Sequence, residues 1–111
     1  ERSASLGPCL LVTNEPLNSS TEIKMTITRN KNVVFEESVT ISRMRRSFSE
    51  LVSYLFSESD FYQGCFLMTG TCIVPPSDFT LYENDEVDIA VSSIGILNNI
   101  VSYKPPRPFQ G

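Results

Sequence analysis

Apolar and polar residues alternate strictly from Glu22 to Arg29. Ile23, Met25 and Ile27 fall on one side, and Glu22, Lys24, Thr26 and Thr28 on the other. A period of two marks a strand with one face buried. The alternation returns from Val33 to Ile41, with Val33, Phe35, Glu37, Val39 and Ile41 in one register. Between the two runs lies Asn30-Lys31-Asn32, and Asn tolerates the left-handed backbone that tight turns need. Residues 22–41 are therefore predicted to be a β-hairpin, with a register shift at Glu37, which interrupts the apolar face. A turn over Tyr82–Asp85 leads into a third alternating run, with Val87, Ile89 and Val91 opposite Glu86, Asp88 and Ala90. A turn at Ser92-Ser93 or Gly95 then precedes a closing strand, Ile96–Tyr103, carrying Leu97, Ile100 and Val101. Two unbroken apolar runs, Cys9–Thr13 and Cys65–Met68, predict short buried strands.

The pattern changes period once. Phe48, Leu51, Val52, Leu55 and Phe56 fall at i, i+3, i+4, i+7 and i+8, one stripe of an amphipathic helix. Ser47-Phe48-Ser49-Glu50 in front of it is a capping box: Ser47 can accept from the Glu50 N–H, and Glu50 can reach back. Arg43, Arg45 and Arg46 precede the cap, where cations oppose the helix dipole, so another interaction is expected to hold them. Solvated charge or an interface salt bridge is the simpler reading, anion binding the other. The tail from Lys104 to Gly111 carries three prolines and is expected to be an extended arm. One helix among several strands makes the fold class α+β, mostly β.

At 111 residues the chain holds one modest core. Nine basic and thirteen acidic residues give net −4, which argues against a nucleic-acid partner. The apolar runs are too short to span a membrane. There is no histidine, so Ser-His-Asp and Cys-His nucleophiles and His-ligated metals are excluded. Cys9, Cys65 and Cys72 cannot all pair, and with no secretory leader visible this points to thiols in a reducing cytoplasm. Cys9 and Cys65 sit in apolar runs and read as small hydrophobes, whereas Cys72 falls in a loop. In that setting Asn18-Ser19-Ser20 matches a glycosylation sequon by chance.

The candidate chemistry centres on Thr69-Gly70-Thr71. Gly lets a ligand approach the backbone, and a turn of hydroxyls and exposed N–H groups suits carboxylate or phosphate oxygens. An ordinary turn is the plainer reading of the same three residues. Glu36-Glu37, Glu83 with Asp85, and Glu86 with Asp88 are the close carboxylate pairs. Glu86 and Asp88 share a strand face and could hold a hard cation, but that face lies opposite the apolar one and reads as solvated.

Several segments stand in a fixed order: Leu6-Gly7-Pro8, Val34-Phe35-Glu36, the stretch from Met44 to Leu55, Gly64-Cys65-Phe66-Leu67-Met68-Thr69-Gly70-Thr71, Ile73-Val74-Pro75-Pro76, Asp85-Glu86-Val87 and Ile94-Gly95-Ile96-Leu97-Asn98-Asn99. Over roughly residues 6–101 this series resembles the C-terminal part of the fumarylacetoacetate hydrolase superfamily. Its 2-keto-3-deoxy sugar acid (2-keto-3-deoxyarabinonate) dehydratases are the most similar branch. The resemblance implies a mixed β-roll that holds Mg²⁺ against a 2-oxo acid, where the metal polarises the carbonyl and a base forms an enolate. Dehydratases then expel the 4-hydroxyl, whereas hydrolases of the acylpyruvate type cleave a C–C bond. It also implies that Thr71 binds the 2-oxo acid, with Gly70 giving close approach and Thr69 beside it.

Such enzymes carry their metal carboxylates, an E-x-E pair followed by an Asp, and their lysine upstream of the Gly-Pro segment. Here five residues precede Leu6. Cys72 and Asn84 stand where relatives usually have Gly. The expectation is that residues 1–103 are the C-terminal segment of the catalytic domain and 104–111 a tail, with no catalytic residue or metal ligand of their own. The expected partners are the missing N-terminal half, a 2-oxo acid and further copies of the enzyme. The alternative is a non-catalytic β-rich interaction domain, with the helix stripe and proline tail as partner surfaces, or a family remnant that has lost catalysis.

Overall fold

The alternating runs pair with one another, because each has one face to bury and a ladder of backbone groups to satisfy. The computed structural model describes residues 4–43, 47–58, 60–70 and 73–103. Strands β1 (Glu22–Arg29), β2 (Asn32–Thr40), β3 (Glu86–Val91) and β4 (Gly95–Ile100) form one antiparallel sheet in the order β2-β1-β3-β4. In β1, Ile23, Met25 and Ile27 lie opposite Val39, Glu37 and Phe35 of β2 and opposite Val91, Ile89 and Val87 of β3. Directly opposed residues share a face, so these side chains, Glu37 excepted, and Leu97 of β4, paired with Ile89, make the apolar side. Its centre is Ile27, 2% exposed, with Val39 and Ile73 also buried. The fold class is as the sequence predicts: mostly β, with one helix.

The hairpin turn is tighter than expected. Asn30 and Lys31 both have positive φ, 50° and 66°, and Asn32 already belongs to β2. Two left-handed residues match the right-handed twist of the strands they join. The register shift lies beside this turn and not at Glu37. Ile27 pairs with Phe35 and Thr28 with Val33, so Val34 is the extra residue of a bulge. Glu37 sits exposed on the edge strand β2, where its carboxylate stays in water without disturbing the ladder. Lys24 and Glu36 form an ion pair on the other face at 3.4 Å.

The two unbroken apolar runs are not strands. Cys9–Thr13 and Cys65–Met68 have no ladder partner and are irregular. Leu10, Val12, Phe66 and Met68 are exposed, as are the thiols of Cys9 and Cys65. An apolar run becomes a strand only where a neighbour can take its N–H and C=O groups. The chain ahead of Leu10 is held by side contacts instead. A Cβ on Gly95 would stand 3.0 Å from Pro8 Cγ, and the Cys9 thiol donates to the Ile94 carbonyl at 3.3 Å.

After a 3-10 turn at Ile41–Arg43, helix α1 runs over Phe48–Glu58. It starts at the predicted cap, where the Glu50 N–H donates to Ser47 Oγ at 3.2 Å. Its apolar stripe covers little: Phe48, Val52 and Phe56 are exposed, and Phe56 meets Phe61 edge-on with ring centres 5.5 Å apart. Arg45, Arg46 and the tail from Lys104 lie outside the described residues. Among the described residues no helix is long and apolar enough to cross a membrane.

Candidate functional site

Gly70 has φ +75°, in the left-handed region that favours glycine. Among the described residues, no atom beyond Gly70 and its chain neighbours lies within 4 Å of where its Cβ would stand. The glycine thus answers a backbone requirement and leaves the outer side of the turn open. The Thr69 hydroxyl donates to the Gly70 carbonyl at 3.3 Å, and both residues are exposed. Thr71 and Cys72 lie outside the described residues.

The chain leaving this turn is anchored at once, by Ile73, 4% exposed. Pro75-Pro76 follows, and the Phe79 N–H closes a turn on the Pro76 carbonyl at 2.9 Å. Pro75, Pro76, Phe79 and Leu81 then arch over Met25, Ile27 and Val87, enclosing a concavity of about 600 Å³. Phe79 meets Phe35 of β2 with ring centres 5.9 Å apart. Apolar walls of this kind hold a segment in place or accept an apolar group.

A polar clamp fixes the end of that arch. Asp85 is fully buried. Its Oδ1 accepts from Arg29 Nε and its Oδ2 from Arg29 Nη2, both at 2.9 Å. Oδ2 also accepts from the Tyr82 N–H at 2.9 Å. Arg29 Nη2 donates in addition to the Thr80 carbonyl at 2.9 Å. The guanidinium lies 3.9 Å from the centre of the Tyr82 ring and 5.7 Å from that of Phe79. This fork-on-fork pairing is the strong form of a charged hydrogen bond. It holds the Asp85 carboxyl below the ordinary carboxylate range, first through the Arg29 hydrogen bonds and then through the Tyr82 N–H. Bonding to Asp85 in turn raises Arg29 above its usual value. Asn84, at φ 71°, closes the turn by donating its N–H to the Val101 carbonyl at 2.8 Å.

In sequence, Arg29 ends a strand and Asp85 lies in a turn 56 positions away, and no local pattern joins them. The signal lies in strand pairing. Once Ile27 stands opposite Val87 and Thr28 opposite Glu86, the next step along β1 brings Arg29 beside Asp85.

Other carboxylates gather no site. Asp88 accepts a hydrogen bond from Asn98 Nδ2 on β4, and Glu86 is exposed at the strand start. Among the described residues no three His, Cys, Asp or Glu side chains converge as metal ligands. Asp85 is committed to Arg29 and Tyr82. The donor set therefore does not fit the Mg²⁺ of the sequence resemblance.

The comparisons with known proteins agree with one another. The family model described as fumarylacetoacetate (FAA) hydrolase C-terminal matches residues 1–102. A probable 2-keto-3-deoxyxylonate dehydratase of Haloferax volcanii is 38% identical over 104 residues, which is 92% of this chain and 36% of that protein. A 2-dehydro-3-deoxy-D-arabinonate dehydratase of Saccharolobus solfataricus is 38% identical over 94 residues, 84% of this chain and 32% of that one. Among solved structures, 2-keto-3-deoxy-D-arabinonate dehydratase complexed with magnesium and 2,5-dioxopentanoate superposes with a TM-score of 0.78 at 38% identity. The match covers 85% of this chain and 34% of that one. The apo form of the same enzyme gives 0.75 at 36% identity, over 85% and 33% of the two chains. The chain thus spans about a third of the length of the curated relatives it matches.

Proposed function

This chain belongs to the fumarylacetoacetate hydrolase C-terminal family, and from that premise we propose that it is the C-terminal segment of a Mg²⁺-dependent enzyme that dehydrates a 2-keto-3-deoxy sugar acid. The observation that carries the proposal is the superposition, at a TM-score of 0.78, on one third of a dehydratase complexed with magnesium and 2,5-dioxopentanoate. In this reading the metal ligands belong to the remaining two thirds of the enzyme, upstream of the Gly7-Pro8 segment. The apolar stripe of α1 and the exposed Phe66 and Met68 are surfaces for that remainder to cover, and the whole assembles in several copies.

In this reading the chain's own contribution is to bind and orient. The Thr71 hydroxyl donates to an oxygen of the 2-oxo acid, while Gly70, open on its outer side, lets the substrate approach the backbone. Thr69 lies beside them. Small hydroxyl and N–H donors suit the carboxylate end of such an acid, because they pair its oxygens without adding charge.

The test is an assay of 2-keto-3-deoxy-D-arabinonate dehydration with Mg²⁺, on the 111-residue chain alone and with the rest of the enzyme present. Intact mass spectrometry of the purified sample establishes which polypeptides it holds. Turnover is expected only with the remainder present, and Thr71→Val is expected to raise KM. Turnover by the chain alone would defeat the proposal, as would no turnover of any 2-keto-3-deoxy acid by the complete enzyme.

A further inference from the structure

We propose that the outer edge of β4 is a contact between two copies of this chain, paired antiparallel about a two-fold axis at Asn98. It rests on the reading that the complete enzyme assembles in several copies, and not on the reaction.

The sheet has two edges, and they differ. β2 carries Glu36, Glu37 and the bulge at Val34, devices that keep another strand from adding to an edge. β4 has no charge, no proline and an unbroken register against β3. The Val101 N–H donates to the Asp85 carbonyl at 2.9 Å, so Val101, Asn99 and Leu97 turn their backbone groups inward to β3. In an antiparallel ladder the alternate residues, Ile96, Asn98 and Ile100, turn theirs outward. Among the described residues no strand takes those groups, because β4 ends the sheet.

The same three residues share the face away from Leu97. On the inner strands that face is largely polar, with Lys24, Thr26 and Thr28 of β1 opposite Ala90, Asp88 and Glu86 of β3. Ile96 and Ile100 interrupt it, 60% and 59% exposed, so burial within the chain does not account for them. Asn98 gives its side-chain amide to Asp88, which draws it toward β3 and leaves the backbone edge clear.

The spacing selects the occupant. Ile96-x-Asn98-x-Ile100 reads alike in both directions. A two-fold axis at Asn98 therefore sets each Ile96 against Ile100 of the second copy, and Asn98 against Asn98. Each facing pair exchanges both main-chain hydrogen bonds, and the isoleucines leave water together. Self-complementarity of this kind is what an isologous contact requires, whereas a strand of another sequence asks for no symmetry in β4. Two copies of net −4 can meet here because β4 brings no charge of its own.

The experiment measures the mass of the complete enzyme by light scattering during size exclusion. Ile96→Lys/Ile100→Lys sets like charges against each other across the axis, and Ile96→Glu/Ile100→Lys sets opposite ones. Melting temperatures establish that both are folded. We expect about a twofold fall in mass for the lysine pair, since facing like charges are strongly unfavourable, and the parent mass for the Glu/Lys pair. Asn98→Cys serves if the lysine pair fails to fold. Its thiols face across the axis with Cα atoms about 5.5 Å apart, within disulfide range. Mild oxidation with diamide is expected to link two copies, with the parent chain and its own cysteines as background and Ile96→Cys, off the axis, no higher than that background.

An unchanged mass in the folded lysine pair would overturn the proposal, as would a fall that the Glu/Lys pair does not restore. So would Asn98→Cys linking no better than Ile96→Cys. Loss of a different polypeptide from the lysine pair would mean that the rest of the enzyme covers β4, and overturns it too. A parent of single copies removes the assembly and this contact together. A parent of several copies that dehydrates no 2-keto-3-deoxy acid defeats the reaction and, if the variants behave as expected, leaves the contact standing.

Discussion

The sheet and the segment between its second and third strands solve the burial problem in opposite ways. In the sheet, every strand has a hydrogen-bonded neighbour, the apolar face is shared across all four strands, and Arg29 at the end of β1 holds the buried charge of Asp85 just ahead of β3. In residues 47–70 the helix forms from local signals alone, and Phe48, Val52 and Phe56 of its apolar stripe remain exposed. β1 packs on β2 and β3, and β3 on β4; α1 makes no comparable contact with any strand. A ladder completed within the chain carries its own tertiary order. A helix can be specified by its cap and periodicity and still await the surface it covers.

The contrast breaks or holds on core truncations. Ile27→Ala is expected to lower the stability of the 111-residue chain by about 2–5 kcal/mol, the range for emptying a packed aliphatic site. Val52→Ala, on the exposed stripe of α1, is expected to change it by less than about 0.5 kcal/mol. Urea unfolding followed by circular dichroism reads both. Equal effects would mean that the helix is packed as firmly as the sheet. In the complete enzyme the Val52 substitution should become costly, because its surface is then covered.

A smaller effect should appear only in acid. Asp85 is charged in the folded chain to a lower pH than in the unfolded one, because Arg29 and the Tyr82 N–H stabilise its carboxylate. The unfolded chain therefore binds the proton first as pH falls. The stability that Asp85 contributes is complete above the ordinary carboxylate value, about pH 4, and is lost below it as pH falls through the depressed folded value. Urea midpoints measured between pH 7 and pH 2.5 should fall more steeply for the parent chain than for Asp85→Asn. The variant starts lower at neutral pH, since it leaves the guanidinium without its charge partner. Parallel acid curves would show that the clamp does not titrate with the fold.

Much of the sheet was legible because its signal is local. The alternation at 22–29 and 86–91, the Asn30 turn and the Ser47 cap each need only a few neighbouring residues, and each is present, the turn one residue shorter than its sequence suggests. What failed was non-local. Cys9–Thr13 and Cys65–Met68 have the composition of buried strands, yet strand formation depends on a partner that composition does not supply. Glu37 interrupts the alternation without shifting the register, and the bulge lies beside the tight turn instead, where the strand twist is strongest. The Arg29–Asp85 clamp was invisible in spacing and becomes readable only when β1 and β3 are aligned. Of the candidate site, the left-handed glycine of the turn was legible as a residue type. Its anchoring through Ile73 and the arch was not, since that depends on which apolar residues meet across the fold.

The smallest effect concerns Asn84, which takes φ 71° in the turn before β3 and donates its N–H to Val101. The family resemblance puts glycine here, and the backbone shows why either residue serves: both adopt the left-handed conformation readily. Asn84→Gly relieves the remaining side-chain strain but frees the unfolded chain, and these opposed terms leave a change within about 0.5 kcal/mol. Asn84→Val keeps the size and loses the tolerance, because a β-branched side chain crowds the following carbonyl in this conformation. It is expected to cost about 1–2 kcal/mol. The pair of substitutions separates backbone conformation from side-chain contact at the point where the clamp's turn closes on the sheet. A costly glycine and a harmless valine, measured by the same urea midpoints, would mean that the Asn84 side chain and not its φ holds the turn.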